Sequence, residues 1–155
     1  MSKTGKIVYL CIAAIFFILL NIYLTETIID NGYKLVENPV FSVTHIHNQG
    51  AAFNIFEGYR AFLISFSALA IVGIIFYTVK HIKIATVMSL FFVALLISGI
   101  FNNMLERIIF GYVRDFIKLN FIDFPVFNLS DMFINISVIA IVIIILKNNY
   151  IKKWL

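Results

Sequence analysis

The side chains able to do chemistry cluster at the edges of apolar runs. Asn103, Glu106 and Arg107 close one run, and Asn128 and Asp131 open another, Met132 to Leu146. On a helix, residues three and four apart share a face, so Asn103, Glu106 and Arg107 point the same way, and Asn128 and Asp131 repeat the three-residue spacing. Charged groups at the edge of a membrane segment are costly and usually face a polar interior where they act. Two Asn-x-x-acid pairs facing each other bring two carboxylates together. Neighbouring acids do not ionise equally, so one holds a proton while the other activates water. Asparagine and arginine beside them can orient a carbonyl and stabilise developing negative charge. The expectation is a hydrolytic pair made by Asp131 and Glu106. The plain alternative is a set of interhelical hydrogen bonds with an ordinary Glu106–Arg107 charge pair. Asp115 reads as a structural anchor for Arg114 or Arg107. His45 and His47 alternate on one strand face, and without a third ligand of suitable spacing they read as solvated histidines, with no metal or other cofactor expected.

These residues need a scaffold, and the composition says which kind. Of 155 residues, 62% are hydrophobic and 13% charged, well beyond a soluble domain. Roughly 20 apolar residues cross a bilayer as a helix. Four such runs lie at about 7–24, 61–79, 84–101 and 127–146, in a single membrane domain spanning 1–155. The fold class expected is an all-α membrane protein: four transmembrane helices, with a small extended β element and a short helical segment on the outer face, drawn from outer segments 25–60 and 102–126. Residues 40–47 partly alternate apolar and polar, the period of a half-buried strand. Lys3, Lys6, Lys80, Lys83, Lys147, Lys152 and Lys153 flank the runs, and the positive-inside rule makes those ends, and both termini, cytoplasmic. Trp154 is expected as an interface anchor. The cations form no stripe with interleaved aromatics, which excludes nucleic acid as a partner. With one cysteine, Cys11, no intrachain disulfide can form.

Four blocks in order resemble the lipoprotein signal peptidase (signal peptidase II) family. Asn48-Gln49-Gly50-Ala51-Ala52-Phe53 is similar to Asn-x-Gly-Ala-Ala-Phe, and Asn103-Met104-Leu105-Glu106-Arg107 to Asn-x-x-Asp-Arg. Val113-Arg114-Asp115-Phe116-Ile117 resembles Val-x-Asp-Phe-Ile, and Phe124 to Asp131 resembles Phe-Pro-x-Phe-Asn-x-Ala-Asp. The resemblance implies an aspartyl endopeptidase of the bacterial cytoplasmic membrane with its active site on the outer face. It would remove the signal peptide from diacylglyceryl-modified prolipoproteins, without metal or cofactor, and bind inhibitors of the globomycin type. It implies a catalytic dyad of Asp131 and Glu106, and substrate binding at Asn48, Gly50, Asn103, Arg107 and Asn128. Glu106 stands where the family has Asp, and Asn21 and Thr25 stand where it has an acid and a lysine. Ser130 replaces an Ala, and Asn102 a Gly. A glutamate reaches one methylene farther, and misplacing a catalytic group by about 1 Å can cost on the order of 100-fold. The alternative implied by those departures is a silent relative that binds lipoprotein signal helices.

Overall fold

The computed structural model describes residues 1–32, 38–51 and 55–147. Ala52 and Phe53 of the first block, and Lys152, Lys153 and Trp154 of the tail, lie outside them. Four helices are long and apolar enough to cross a membrane. They are α1 (Lys3–Gly32), α2 (Arg60–Lys80), α3 (Val87–Ile109) and α4 (Leu129–Lys147), with strands β1 (Phe41–Asn48) between α1 and α2 and β2 (Val113–Leu119) between α3 and α4. Helical structure at the sheet end of the bundle comes from α1 and α3, which run past the expected spans to Gly32 and Ile109.

The bundle is organised on α3, which packs against α1, α2 and α4. Its inward stripe is Leu90, Ala94, Leu95, Ile97, Ser98, Gly99, Asn102 and Arg107, all buried, with small residues where backbones approach closely. At Gly99 an added Cβ would sit 2.7 Å from the Ser130 carbonyl oxygen and 2.9 Å from Ile134 Cγ1, so a side chain there would push α4 away. The outward faces of α1, α2 and α4 remain apolar and exposed, as lipid-facing surfaces must. At the other end, Lys6 of α1 donates from Nζ to the Ile82, Lys83 and Ala85 carbonyls at 3.2, 3.0 and 2.6 Å, tying the turn between α2 and α3 to α1. Thr86 then caps α3 reciprocally with Ser89.

The C-terminal end of α3 is closed by Gly111, whose φ of +89° a residue with a Cβ adopts only under strain. The Arg60 guanidinium donates to the Ile108 carbonyl at 2.9 Å, satisfying a terminal acceptor. After that stop the chain reverses into β2, which pairs antiparallel with β1 from Asn48↔Val113 to Phe41↔Leu119, with an irregularity between Val43 and Ile46. Phe127 extends the pairing by a bridge to Ile117. The sheet therefore hangs between the C-terminal end of α3 and the N-terminal end of α4. That fixes which side chains meet.

Candidate active site

Side chains on a strand alternate, so Val113, Asp115 and Ile117 of β2 share one face. Val113 and Asp115 are both 2% exposed, which leaves a carboxylate where a packing residue would be expected. On α4, Asn128 is the N-cap. Its Oδ1 accepts from the Asp131 N–H at 3.0 Å, while Asp131 Oδ2 accepts from the Asn128 N–H at 3.2 Å, a reciprocal capping box. The carboxylate of Asp131 thus sits in the first turn of a helix, where the backbone dipole favours it.

Asn128 also joins the two acids. Its side-chain Nδ2 donates to Asp115 Oδ1 at 2.7 Å and to Asn103 Oδ1 at 3.2 Å. Asn103 Nδ2 in turn donates to Asp131 Oδ1 at 2.8 Å. Asn48, at the end of β1, donates to Asp115 Oδ2 at 2.9 Å. Every carboxylate oxygen of the two acids accepts from one neutral amide, and among the described residues no cation donates a hydrogen bond to either acid. Burial, with the charge of Asp131 adding to it, pushes the Asp115 carboxyl up to about 6, against the pull of its Asn48 and Asn128 donors. Both acids line a cavity of about 940 Å³ together with Asn48, Asn103 and Arg107, and its apolar walls come from α2, α4 and the segment 121–127.

Glu106, expected beside Asp131, turns the other way. Its Oε2 accepts from the Arg114 backbone N–H at 2.7 Å, and its Oε1 from Arg114 Nε and Nη2 at 3.0 and 2.7 Å. Arg114 reaches on to Glu26 of α1 at 2.7 Å, so one guanidinium ties α1, α3 and β2 together. The physical reason is register. Neighbouring strand residues point to opposite faces, so Arg114 faces the helix ends while Asp115 faces the cavity. Among the described residues that line the cavity, Glu106 is absent. Asp115 is not the anchor of Arg114 or Arg107 that the sequence suggested; its hydrogen-bond donors are Asn48 and Asn128. The signal that could have found it was present: an acid in phase with Val113 and Ile117 is costly for the same reason as Asp131.

Arg107 is buried and donates to the Gly50 carbonyl at 2.7 Å and the Asn103 carbonyl at 3.1 Å, pinning the loop after β1 to α3. Its Nε has no partner among the described residues. Asn48 Oδ1 accepts from the Gly50 N–H at 2.9 Å. Asn21, Thr25 and Ser130 form a separate buried set, with Asn21 Oδ1 receiving Ser130 at 3.3 Å and Thr25 at 3.4 Å. His47 stacks on Tyr112 with ring centroids 3.9 Å apart, and His45 lies against it at 4.8 Å. Among the described residues no group of three or more His, Cys, Asp or Glu side chains could hold a metal ion.

Residues 7–147 match the family described as signal peptidase (SPase) II. The chain belongs to the signal peptidase II family. It is 36% identical over 110 residues to the lipoprotein signal peptidase of Streptococcus thermophilus (strain CNRZ 1066), covering 71% of each chain. With the lipoprotein signal peptidase of Clostridium tetani it shares 35% identity over 118 residues, 74% of this chain and 75% of the other. Its backbone resembles a solved bacterial membrane enzyme at a TM-score of 0.78 and 27% identity, covering 92% of this chain and 90% of that one. Signal peptidase II is an aspartic protease. A site of two acids, Asp115 buried and Asp131 partly so, held by amide donors is consistent with that chemistry.

Proposed function

We propose that this signal peptidase II is a working endopeptidase that removes signal peptides from diacylglyceryl-modified prolipoproteins, and that its dyad is Asp115 with Asp131. The observation that carries this reading is the pair of carboxylates joined through Asn128 and facing one cavity. The pair holds one proton between them. The ionised member takes a proton from water as its oxygen bonds to the scissile carbonyl carbon, and the protonated member gives its proton to the carbonyl oxygen. The diol collapses as one hydroxyl returns its proton to the now ionised member, the C–N bond breaks, and the leaving nitrogen takes the proton held by the other member. Asn48, Asn103 and Asn128 hold the two carboxylates at the orientation this needs, and Arg107 with Gly50 fixes the loop that carries Asn48. A substrate, or an inhibitor of the globomycin type, would draw on the same amides.

Glu106 then acts outside the dyad, as a positioning residue for β2. The Asp-to-Glu departure does not touch the reacting carboxylates, so the main ground for reading the chain as a silent binder falls away. Lys3, Lys6, Lys80, Lys83 and Lys147 collect at the helix ends away from the sheet, which supports cytoplasmic termini and a site on the outer face of a bacterial cytoplasmic membrane. The test is cleavage of a diacylglyceryl-modified prolipoprotein by the purified protein beside Asp131→Asn. We expect cleavage by the parent and none by the variant. Equal cleavage by both, or none by either, overturns the reading.

A further inference from the structure

The cavity continues from the carboxylates down between α2 and α4, into the depth of the spans. Its walls there are apolar, Leu63, Phe66 and Ala70 on one side and Ile134 on the other, with two exceptions: Ser67 of α2 and Asn135 of α4. Asn135 lies four residues after Asp131, on the same helix face, about 6 Å farther along the axis. Its amide makes no hydrogen bond to another described residue, although it lies inside the last membrane-spanning helix. A polar group without a partner in hydrocarbon is costly, and an intramembrane polar side chain facing a cavity marks a ligand path.

What in the substrate would need such a partner? A helical signal peptide satisfies its own backbone. The polar groups left over at that depth are the ester carbonyls of the glycerol-linked fatty acyl chains. They sit a few bonds from the cysteine sulfur, and that cysteine must lie beside the carboxylates for cleavage. One helical turn is the separation between a scissile bond at Asp131 and esters at Asn135. Resting on the proposed function above, we propose that Asn135, assisted by Ser67 across the cavity, forms a subsite that donates hydrogen bonds to the glycerol ester carbonyls of the substrate's lipid. The subsite recognises the lipid by its acceptors and not only by its apolar bulk.

Fatty esters of glycerol also occur in bilayer phospholipid, so the test separates the two sources. A fluorescent peptide carrying S-diacylglyceryl cysteine is titrated onto the protein in bilayers of ether-linked phospholipid, where the peptide supplies the only esters. A second peptide carries the dialkyl ether, which lacks the carbonyls. For the ester peptide we expect Asn135→Leu to weaken binding roughly 3- to 20-fold, the range of interhelical hydrogen bonds in membranes, with a smaller loss for Ser67→Ala. For the ether peptide we expect no difference between parent and variant. Equal affinity of parent and Asn135→Leu for the ester peptide overturns the proposal, as does an equal loss for the ether peptide. An Asn135 effect seen only in ester-linked bilayers, whichever peptide is used, reassigns the subsite to bilayer lipid and overturns it too. Binding is read without turnover, so failed cleavage by the parent would sink the proposed function while leaving this result separately readable.

Discussion

Replacing Asp115 of β2 by Asn and Glu106 of α3 by Gln removes one carboxylate each, yet the consequences should differ sharply. Asp115→Asn keeps the shape, but an amide cannot exchange a proton with water or a carbonyl. General acid–base catalysis contributes on the order of 10² to 10⁴-fold, and that is the expected loss in kcat/KM. Glu106→Gln acts on the scaffold. The carboxylate accepts three hydrogen bonds from Arg114, one of them from its backbone N–H, and the amide can accept for only part of that set. Breaking a buried ion pair costs about 3–5 kcal/mol when the remaining charge is stranded. Arg114 is not stranded, because Glu26 still holds it, and the Glu26 side chain is 46% exposed. A stability loss of roughly 1–3 kcal/mol follows, lower than the stranded-charge figure. Asp115 is adjacent to Arg114 on β2 and has its own amide donors, so displacement should be a fraction of the about 1 Å that costs on the order of 100-fold. Glu106→Gln should therefore retain activity within about tenfold of the parent, with a lowered Tm, and Glu106→Asp should recover part of both. The assay is cleavage of a lipid-modified prolipoprotein well below the Tm of each variant, beside a thermal unfolding scan. The reasoning is refuted if the ranking reverses: Glu106→Gln inactive with an unchanged Tm, and Asp115→Asn still turning over.

Other outcomes follow from single contacts. Because Asp115 is raised from 3.8 to about 6 in the folded protein, the native state keeps a proton between those values that the unfolded chain has released. Stability therefore falls as pH rises from about 4 to 6, by up to about 3 kcal/mol. Thermal scans from pH 4.5 to 7.5 should show that loss in the parent and a flatter profile in Asp115→Asn; parallel profiles would contradict it. Gly99→Ala puts a Cβ 2.7 Å from the Ser130 carbonyl oxygen, and overpacking of this kind costs about 1–3 kcal/mol, so its Tm should drop, while an unchanged Tm would mean that α3 and α4 separate freely. Lys6→Met removes three donors to the turn between α2 and α3; hydrogen exchange at residues 82–86 should rise, with cleavage activity preserved.

The frame of the molecule was legible in the sequence because its cause is crude. Four apolar runs of bilayer length, with lysines at alternate junctions, admit few arrangements, and each run overlaps one of the four long apolar helices, α1 and α3 extending past theirs to Gly32 and Ile109. The strand at residues 40–47 was also legible from its alternation, and β1 covers Phe41–Asn48. Its partner was harder, since Val113–Leu119 is mixed in charge and adjoins a helix whose end is set by one glycine at positive φ.

The site was legible by composition but not by pairing, and the reason lies in geometry that spacing along one helix cannot supply. Asn103 and Glu106 are three residues apart, which allows them to share a face, yet α3 ends at Ile109 and the chain folds back at once. That return brings a guanidinium from Arg114 to the carboxylate of Glu106 over a separation of only eight residues. Both side chains are largely enclosed, Arg114 13% and Glu106 15% exposed, and Arg114 draws on Glu26 as well. The acid free to meet Asp131 is then the one with no cation to hold it. Asp115 fits because its strand phase turns it from Arg114 toward Asn128, leaving amides as its hydrogen-bond donors among the described residues. A carboxylate held by neutral amides can exchange a proton with water or a carbonyl, and Asp115 is raised to about 6 by its burial. That arrangement supports the proposed pairing of Asp115 with Asp131, with Glu106 bonded instead to Arg114 of the strand that carries Asp115.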